Sequence, residues 1–91
     1  MPLRLPADWM GPADDRLLEF LEAEGPKSPT RISKDERIDL SRQHTNTRLR
    51  KLEDAEFVKN LGNGVYSVTE QGEDYLSGEF DARGLEKPDG D

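Results

Sequence analysis

The segment from Leu40 to Leu52 contains the side chains best suited to recognising another molecule. It reads LSRQHTNTRLRKL, with four fixed cations, one histidine and no acidic residue. The whole chain has a net charge of −7, and without those four cations the remainder would carry −11. One helix-length segment is therefore positive within an acidic chain, and we expect the rest of the chain to hold it in place.

The spacing of this segment predicts an amphipathic helix near residues 41–55. Ser41 is a suitable N-cap, because its hydroxyl can accept from backbone N–H groups of the first turn. Thr45, Leu49 and Leu52 recur at i, i+4 and i+7, the spacing of one buried stripe. The opposite face carries the polar side chains Gln43, Asn46, Thr47 and Arg50.

Amide, hydroxyl and guanidinium groups on an exposed ridge are the types that read base edges in a DNA major groove. Arginine suits guanine, and asparagine or glutamine suits adenine. We therefore expect the four polar residues of this ridge to contact bases. The flanking side chains suit phosphates: Arg42 lies on one flank, and His44, Arg48 and Lys51 lie on the other. Taken alone, the same ridge also fits an amphipathic helix that faces only water.

The flanking elements that must position this helix follow from local signals. Pro12 and the acids after it suit a helix start, and Gly25-Pro26 ends that helix. Ser28-Pro29 begins a shorter helix, and a turn around Ile38 leads to Ser41. Helix, turn and Ser-capped polar helix form a helix-turn-helix arrangement. The predicted elements are helices near 13–24, 29–35, 41–55 and 70–79, with strands at 57–61 and 65–69.

The two β-rich runs predict a hairpin, because they flank Gly62-Asn63-Gly64. Residues 57–69 contain Lys59 and no acid, so the hairpin extends the non-acidic surface and adds Lys59 as a phosphate contact. Asn63 and Gly64 form its tip. The predicted core comprises Leu17, Phe20, Leu21, Ile32, Leu40, Thr45, Leu49, Leu52, Val58, Tyr66 and Leu76.

The chain divides into an irregular arm at 1–11, one domain at 12–80 and an acidic tail at 81–91 that we expect to be disordered. The terminal segments carry more apolar surface than a small domain usually leaves exposed to solvent. These apolar residues are Trp9 and Met10 in the arm, and Tyr75, Leu76 and Phe80 near the last helix. We expect a symmetric homodimer through Trp9, Met10, Tyr75 and Phe80.

Composition argues against an enzyme. The chain has no cysteine and one histidine, so it lacks a metal-ligand cluster, and it contains no glycine-rich phosphate loop. We expect no cofactor, no small-molecule ligand and no membrane span, and a cytoplasmic location. Acid excess, few lysines and low apolar content are typical of proteins from a high-salt cytoplasm.

Five strings in the sequence narrow the choice of fold further. Leu49–Val58 (LRKLEDAEFV) resembles a recognition helix running into a wing, and Gly64–Leu76 (GVYSVTEQGEDYL) resembles a wing's return strand and the T-x-x-G-x-x-Y-L start of the next helix. With Trp9-Met10, DDRLLEFL from Asp14 and LSGEFDA from Leu76, the chain resembles haloarchaeal winged helix-turn-helix regulators related to the phage phi-H repressor. The resemblance covers roughly Trp9 to Ala82.

This resemblance implies a mainly helical α+β fold with a three-helix core, a two-stranded wing and a C-terminal helix. It also implies a dimeric repressor whose helix from Arg42 to Lys51 enters the major groove of double-stranded DNA. The chain departs from the pattern in two places. Glu56 stands where such proteins often have glycine, so we expect the helix to end differently by about a residue. The wing tip lacks arginine and lysine, which argues against minor-groove insertion.

Two functions remain open at this point: a sequence-specific DNA-binding regulator, and a winged helix that binds another protein and no DNA. The geometry of charge distinguishes them. One continuous cationic patch on the helix and Lys59 favours DNA, whereas pairing of those cations with Glu53, Asp54 or Glu56 favours a protein partner.

Overall fold

The computed structural model describes residues 3–88 and has the mainly helical α+β architecture of a winged helix. Every predicted element is present, with ends within two residues of those predicted from the sequence. The elements are α1 (Pro12–Glu24), α2 (Pro29–Ser33), α3 (Arg42–Asp54), β1 (Val58–Asn60), β2 (Tyr66–Val68) and α4 (Glu70–Ser77).

The helix-turn-helix unit is defined by two serine caps. The Ser28 hydroxyl accepts from the Arg31 N–H at the start of α2, and the Ser41 hydroxyl accepts from the His44 N–H at 3.0 Å at the start of α3. The turn between them bends at Asp39, whose φ of 52° is left-handed. It buries Ile38 fully and leaves Leu40, a predicted core residue, only half-buried.

Helix α3 ends in the hydrogen-bond pattern of a Schellman motif although glycine is absent. The Phe57 N–H donates to the Leu52 carbonyl and the Glu56 N–H donates to the Glu53 carbonyl, both at 2.9 Å. Glu56 itself takes the left-handed conformation, with φ 66°. The expectation that a non-glycine residue shifts the helix end is therefore wrong, because burial of Leu52 and Phe57 holds Glu56 in that conformation.

Strands β1 and β2 pair antiparallel in the register Val58↔Val68 and Asn60↔Tyr66. The Leu61 N–H donates to the Val65 carbonyl at 2.8 Å and closes the turn at the wing tip. The sequence did not predict a further bridge on the other edge of β2. There, Lys27 and Tyr66 exchange two backbone hydrogen bonds, of 3.1 and 2.8 Å, so the segment between α1 and α2 braces the wing.

The T-x-x-G-x-x-Y-L string from Thr69 to Leu76 joins the wing to α4 and to the core. The Thr69 hydroxyl accepts from the Gly72 N–H at 3.1 Å and donates to the Glu56 carbonyl at 2.6 Å. Gly72 lies so close to the Phe57 carbonyl that a Cβ has no room. Tyr75 is fully buried, with its ring 5.4 Å from that of Phe57.

The two terminal segments pair with each other. Leu5 forms a parallel bridge with Asp81, and the Ala82 N–H donates to the Leu5 carbonyl at 2.9 Å. Ala82 is fully buried and Leu85 packs against the core. The expected disordered tail therefore does not begin at Asp81, because these two apolar residues pack against the domain. Residues 1–2 of the arm and 89–91 of the tail lie outside the described residues.

The core lies between the three inner helices and the wing. All predicted core residues except Leu40 are buried, and the structure adds Ala7, Leu18, Ile38, Phe57, Tyr75 and Ala82. Within residues 3–88, no helix has the length and apolar character needed to cross a bilayer.

Candidate nucleic-acid interface

An open cleft of about 670 Å³ lies between the outer face of α3, the wing and the start of α2. It contains two arginines and several amide and hydroxyl groups, and none of the described residues that line it is acidic. The chain as a whole has 20 acidic and 13 basic residues, so this composition is unusual for its surface. The lining comprises Ser28, Pro29, Thr30, Arg42, Gln43, Asn46, Arg50, Asn60, Gly64 and Tyr66.

The helical period of α3 places three of the four predicted base-reading residues in this cleft. Gln43 and Arg50 are exposed and Asn46 is half-buried. Thr47 is exposed but does not line the cleft, and its hydroxyl donates to the Gln43 carbonyl at 3.0 Å. Because it donates its proton there, that hydroxyl can still accept a hydrogen bond through its lone pairs.

The effective charge of the cleft depends on whether neighbouring acids pair with its two arginines. Within residues 3–88, Arg42 and Arg50 form no ion pair, and Glu53, Asp54 and Glu56 form none with them. Of the two charge geometries that distinguish the candidate functions, the pairing that favours a protein partner is not seen for these two arginines within residues 3–88. The continuous cationic patch that favours DNA is present only in part, because Arg48 pairs with Asp14.

Arg48, a predicted phosphate contact, has a different position. Its guanidinium binds the carboxylate of Asp14, with Nε–Oδ1 at 2.8 Å and Nη2–Oδ2 at 2.6 Å, and Nη2 also donates to the Trp9 carbonyl at 3.1 Å. The Arg48 side chain is 17% exposed and that of Asp14 is 1% exposed. Arg48 therefore points toward the N-terminus of α1, not toward the cleft.

The other predicted phosphate contacts lie on different sides of α3 and on the wing. Arg42 lies at the start of α3 and lines it, while Lys59 is exposed on β1. His44 is exposed on the flank of α3 that faces the arm, and Lys51 is half-buried beside Trp9 and Leu85.

The wing contributes one residue that sequence reasoning missed. Asn60 lines the cleft, and its Oδ1 accepts from the Gly62 N–H at 2.8 Å, which leaves the side-chain amide N–H groups available. Its position at the end of a predicted strand next to Gly62-Asn63-Gly64 was the available signal. Gly64 also lines the cleft, whereas Asn63 is exposed at the tip and Leu61 is 49% exposed.

The residues predicted for a dimer interface separate into two groups. Trp9, Met10 and Phe80 are half-buried and retain surface for a partner. Tyr75 is fully buried, and its hydroxyl donates to Asp15 Oδ1 at 2.7 Å. The prediction of Tyr75 as an interface residue is therefore wrong. Leu3 in the arm, 81% exposed, was not predicted.

The marked pKa shifts come from structural contacts away from the cleft. The pKa of Tyr75 is raised mainly by burial, and the hydrogen bond to Asp15 raises it further. The Arg37 guanidinium, bound to Asp35 and stacked on the Phe20 ring at 4.9 Å, lowers the pKa of Asp35 to about 2. In the described part of the chain, no three His, Cys, Asp or Glu side chains are grouped to hold a metal ion.

Comparisons with known proteins agree with this geometry. The family model of the winged helix-turn-helix phage repressor matches residues 3–88. The crystal structure of the PhiH1 repressor-like protein from Haloarcula marismortui is 41% identical and superposes with a TM-score of 0.88, over 91% of this chain and 94% of that chain. No curated protein matches the chain.

Two more distant solved structures share the fold alone. The transcriptional regulator Tm0710 from Thermotoga maritima is 19% identical, with a TM-score of 0.63 over 76% of this chain and 51% of that chain. ZitR from Lactococcus lactis is 21% identical, with a TM-score of 0.64 over 85% of this chain and 55% of that chain. This chain therefore spans about half the length of these two proteins.

Proposed function

Since this chain belongs to the winged helix-turn-helix phage repressor family, we propose that it is a sequence-specific DNA-binding repressor that reads the major groove with α3. The observation that carries the proposal is the cleft, which none of the acidic residues within 3–88 lines. A negative protein that binds DNA must present one surface where phosphates meet cations and are not repelled. Of the surfaces described above, the outer face of α3 with the wing meets that requirement.

Specificity comes from the ridge of α3. Arg50 is placed to donate two hydrogen bonds to a guanine, and Gln43 and Asn46 present amides that match adenine. Thr47 adds a hydroxyl acceptor or a methyl contact to thymine. Asn60 of the wing faces the same cleft and is a further candidate for a polar contact.

Affinity comes from the basic side chains on the flanks of that ridge and on the wing. Arg42, His44, Lys51 and Lys59 are the proposed phosphate contacts, and they fix the register of the helix without reading sequence. Arg48 is not among them, because its guanidinium is bound to Asp14. The wing tip at Asn63 and Gly64 lies next to the cleft and carries no cation, so its contribution to affinity is small.

The acidic remainder of the chain has its own effect on binding. A net charge of −7 opposes association with arbitrary DNA, so absolute affinity should be modest and the preference for the correct site large. In molar salt the phosphate contribution is mostly lost, and discrimination depends on base contacts. The likeness to a haloarchaeal protein supports our proposal that this chain functions at high salt.

We further propose that the repressor binds as a homodimer through the arm and the segment after α4. These two segments pair with each other through Leu5 and Asp81 and present Leu3, Trp9, Met10 and Phe80. A symmetric interface formed by them leaves both copies of α3 available for two half-sites.

Selection from a randomised duplex pool, followed by anisotropy titration of the selected duplex and a scrambled one across salt, tests the function. We expect enrichment of one motif and a preference of about 10³-fold or more for it. Enrichment of no motif, or equal affinity for the selected and the scrambled duplex, contradicts the proposal and favours a protein-binding winged helix.

A further inference from the structure

The ion pair between Arg48 and Asp14 fixes α3 to α1 near the middle of the recognition helix. It is bidentate, with both nitrogen–oxygen distances below 3 Å, and the Trp9 carbonyl accepts a third hydrogen bond from the same guanidinium. A planar guanidinium held by three oxygens has little freedom to rotate. The helix that carries it is therefore restrained in rotation about its own axis.

Asp14 is itself held independently of Arg48. It occupies the first turn of α1, where the helix dipole favours a carboxylate, and its Oδ2 accepts from the Gly11 N–H at 2.9 Å. The acceptor is thus fixed to the rigid start of α1, so the position of Arg48 is defined by the core and not by solvent.

A buried ion pair is an inefficient way to gain stability, since two apolar side chains of similar volume often stabilise a fold as well or better. The geometry of the charged pair instead restricts how far α3 can rotate about its own axis. A helix surface lies roughly 5–6 Å from its axis, so a rotation of about 10° moves an exposed side-chain tip by about 1 Å. Hydrogen bonds to base edges tolerate less than that.

We propose that Arg48 is a positioning residue that sets the rotation of α3 through Asp14, and thereby the specificity of Gln43, Asn46 and Arg50 for bases. The inference rests on the proposed function and deepens it. It also extends to the arm, because the Trp9 carbonyl shares the same guanidinium and links the arm to the recognition helix.

Asp14→Asn separates this role from that of a phosphate contact. If Arg48 positions α3, the variant loses preference for the selected duplex by about tenfold, an ordinary coupling between sites, while affinity for the scrambled duplex matches that of Glu22→Gln. Glu22 is exposed on the same helix α1, so this control makes the same change of charge. If Asp14→Asn instead tightens binding to both duplexes beyond the control, Arg48 binds phosphate and the proposal fails.

The double variant Asp14→Asn/Arg48→Gln leaves no unpaired buried charge and keeps the net charge at that of the wild type. We expect it to lose the same preference as Asp14→Asn alone, with an unchanged salt slope on the scrambled duplex. A slope lower by about one, as expected for Arg42→Gln, overturns the proposal. Equal weakening on both duplexes also overturns it, because a purely structural role lowers only the folded fraction.

These outcomes are distinct from failure of the proposed function. The wild-type protein is measured on the same two duplexes, and only a wild type without preference removes the premise. Arg37→Gln, which removes a cation at an exposed ion pair with Asp35 away from the cleft, is expected to keep the wild-type preference for the selected duplex over the scrambled one.

Discussion

Gly72 shows how a single residue joins the wing to α4. A Cβ at this position would overlap the Phe57 carbonyl oxygen and lie 2.8 Å from Val68 Cγ2. We expect Gly72→Ala to lower the free energy of unfolding by about 2–4 kcal/mol, even though alanine favours helix by about 1 kcal/mol. Urea denaturation measures this, with Gly84→Ala as the control, since position 84 is open. An equally stable Gly72→Ala variant contradicts the packing described here.

Thr45 is a core residue at which a substitution is expected to stabilise the fold, because its side chain is buried and its hydroxyl is not hydrogen-bonded in the described structure. The Oγ1 atom is buried without a hydrogen-bond partner among the described residues. Thr45→Val removes this desolvated group, so we expect thermal unfolding to show a gain of about 1 kcal/mol. Thr47→Val on the exposed face of the same helix should give no gain, since that hydroxyl is already bonded. A destabilised Thr45→Val variant would show that the hydroxyl has a structural role.

The residue roles that sequence reasoning missed depend on distant partners. The Arg48–Asp14 pair joins positions 34 apart in the chain, and the Tyr75–Asp15 hydrogen bond joins positions 60 apart. Helical periodicity placed Arg48 on a flank of α3, and the flank is correct. The residue that Arg48 contacts on that flank depends on how α1 packs across α3. A local sequence pattern does not predict that packing.

At the scale of elements, Tyr75 ties α4 to α1, and its titration reports on that contact. Burial and the hydrogen bond to Asp15 raise its pKa in the folded protein above the ordinary value near 10. The folded state therefore keeps the proton after the unfolded chain has lost it, so stability is fully present below about pH 10 and falls above it.

Tyr75→Phe removes this titration, so its stability should fall less steeply between about pH 10 and 12 than that of the wild type. Chemical denaturation at a series of pH values measures both slopes. Because the variant also loses the hydrogen bond, only the slopes are compared, and parallel slopes would contradict the assignment.

Elements with local start signals were predicted from the sequence, and elements without them were not. Ser28, Ser41 and Thr69 mark helix starts within their own turns, and all three accept the expected backbone N–H groups. The bridge between Lys27 and Tyr66 is a single residue long, so it has no periodic pattern. The packing of Ala82 and Leu85 depends on an arm about eighty residues earlier in the chain.

For the whole molecule, the proposed function depends most on the separation of a cationic cleft from the acidic remainder of the surface. The sequence showed a positive segment within an acidic chain, and the fold groups its Arg42 and Arg50 with acid-free wing residues in one cleft. The sequence could not show which cations reach that cleft. Arg48 is withdrawn from it by the buried carboxylate of Asp14.

The proposed homodimer also concerns the molecule as a whole. Leu3, 81% exposed, lies in the arm, whereas Leu61, 49% exposed, lies on the wing. We expect Leu3→Glu to weaken the proposed dimer and Leu61→Glu to leave it intact. Sedimentation at high salt and roughly tens of micromolar protein, where weak dimers are detected, measures this. A wild type that sediments as a monomer, or equal effects of both substitutions, would count against an interface at the arm.

In the proposed complex, α3 reads bases while its flanks and the wing hold phosphates. Titration of Arg50→Ala and Lys59→Ala against the selected duplex, its single-base variants and a scrambled duplex, across salt, tests this most directly. We predict that Arg50→Ala loses about 1–3 kcal/mol on the selected duplex and relaxes preference at one base position. Lys59→Ala should weaken every duplex equally and lower the salt slope by about one. If both variants instead weaken all duplexes in parallel with identical salt slopes, α3 does not read bases.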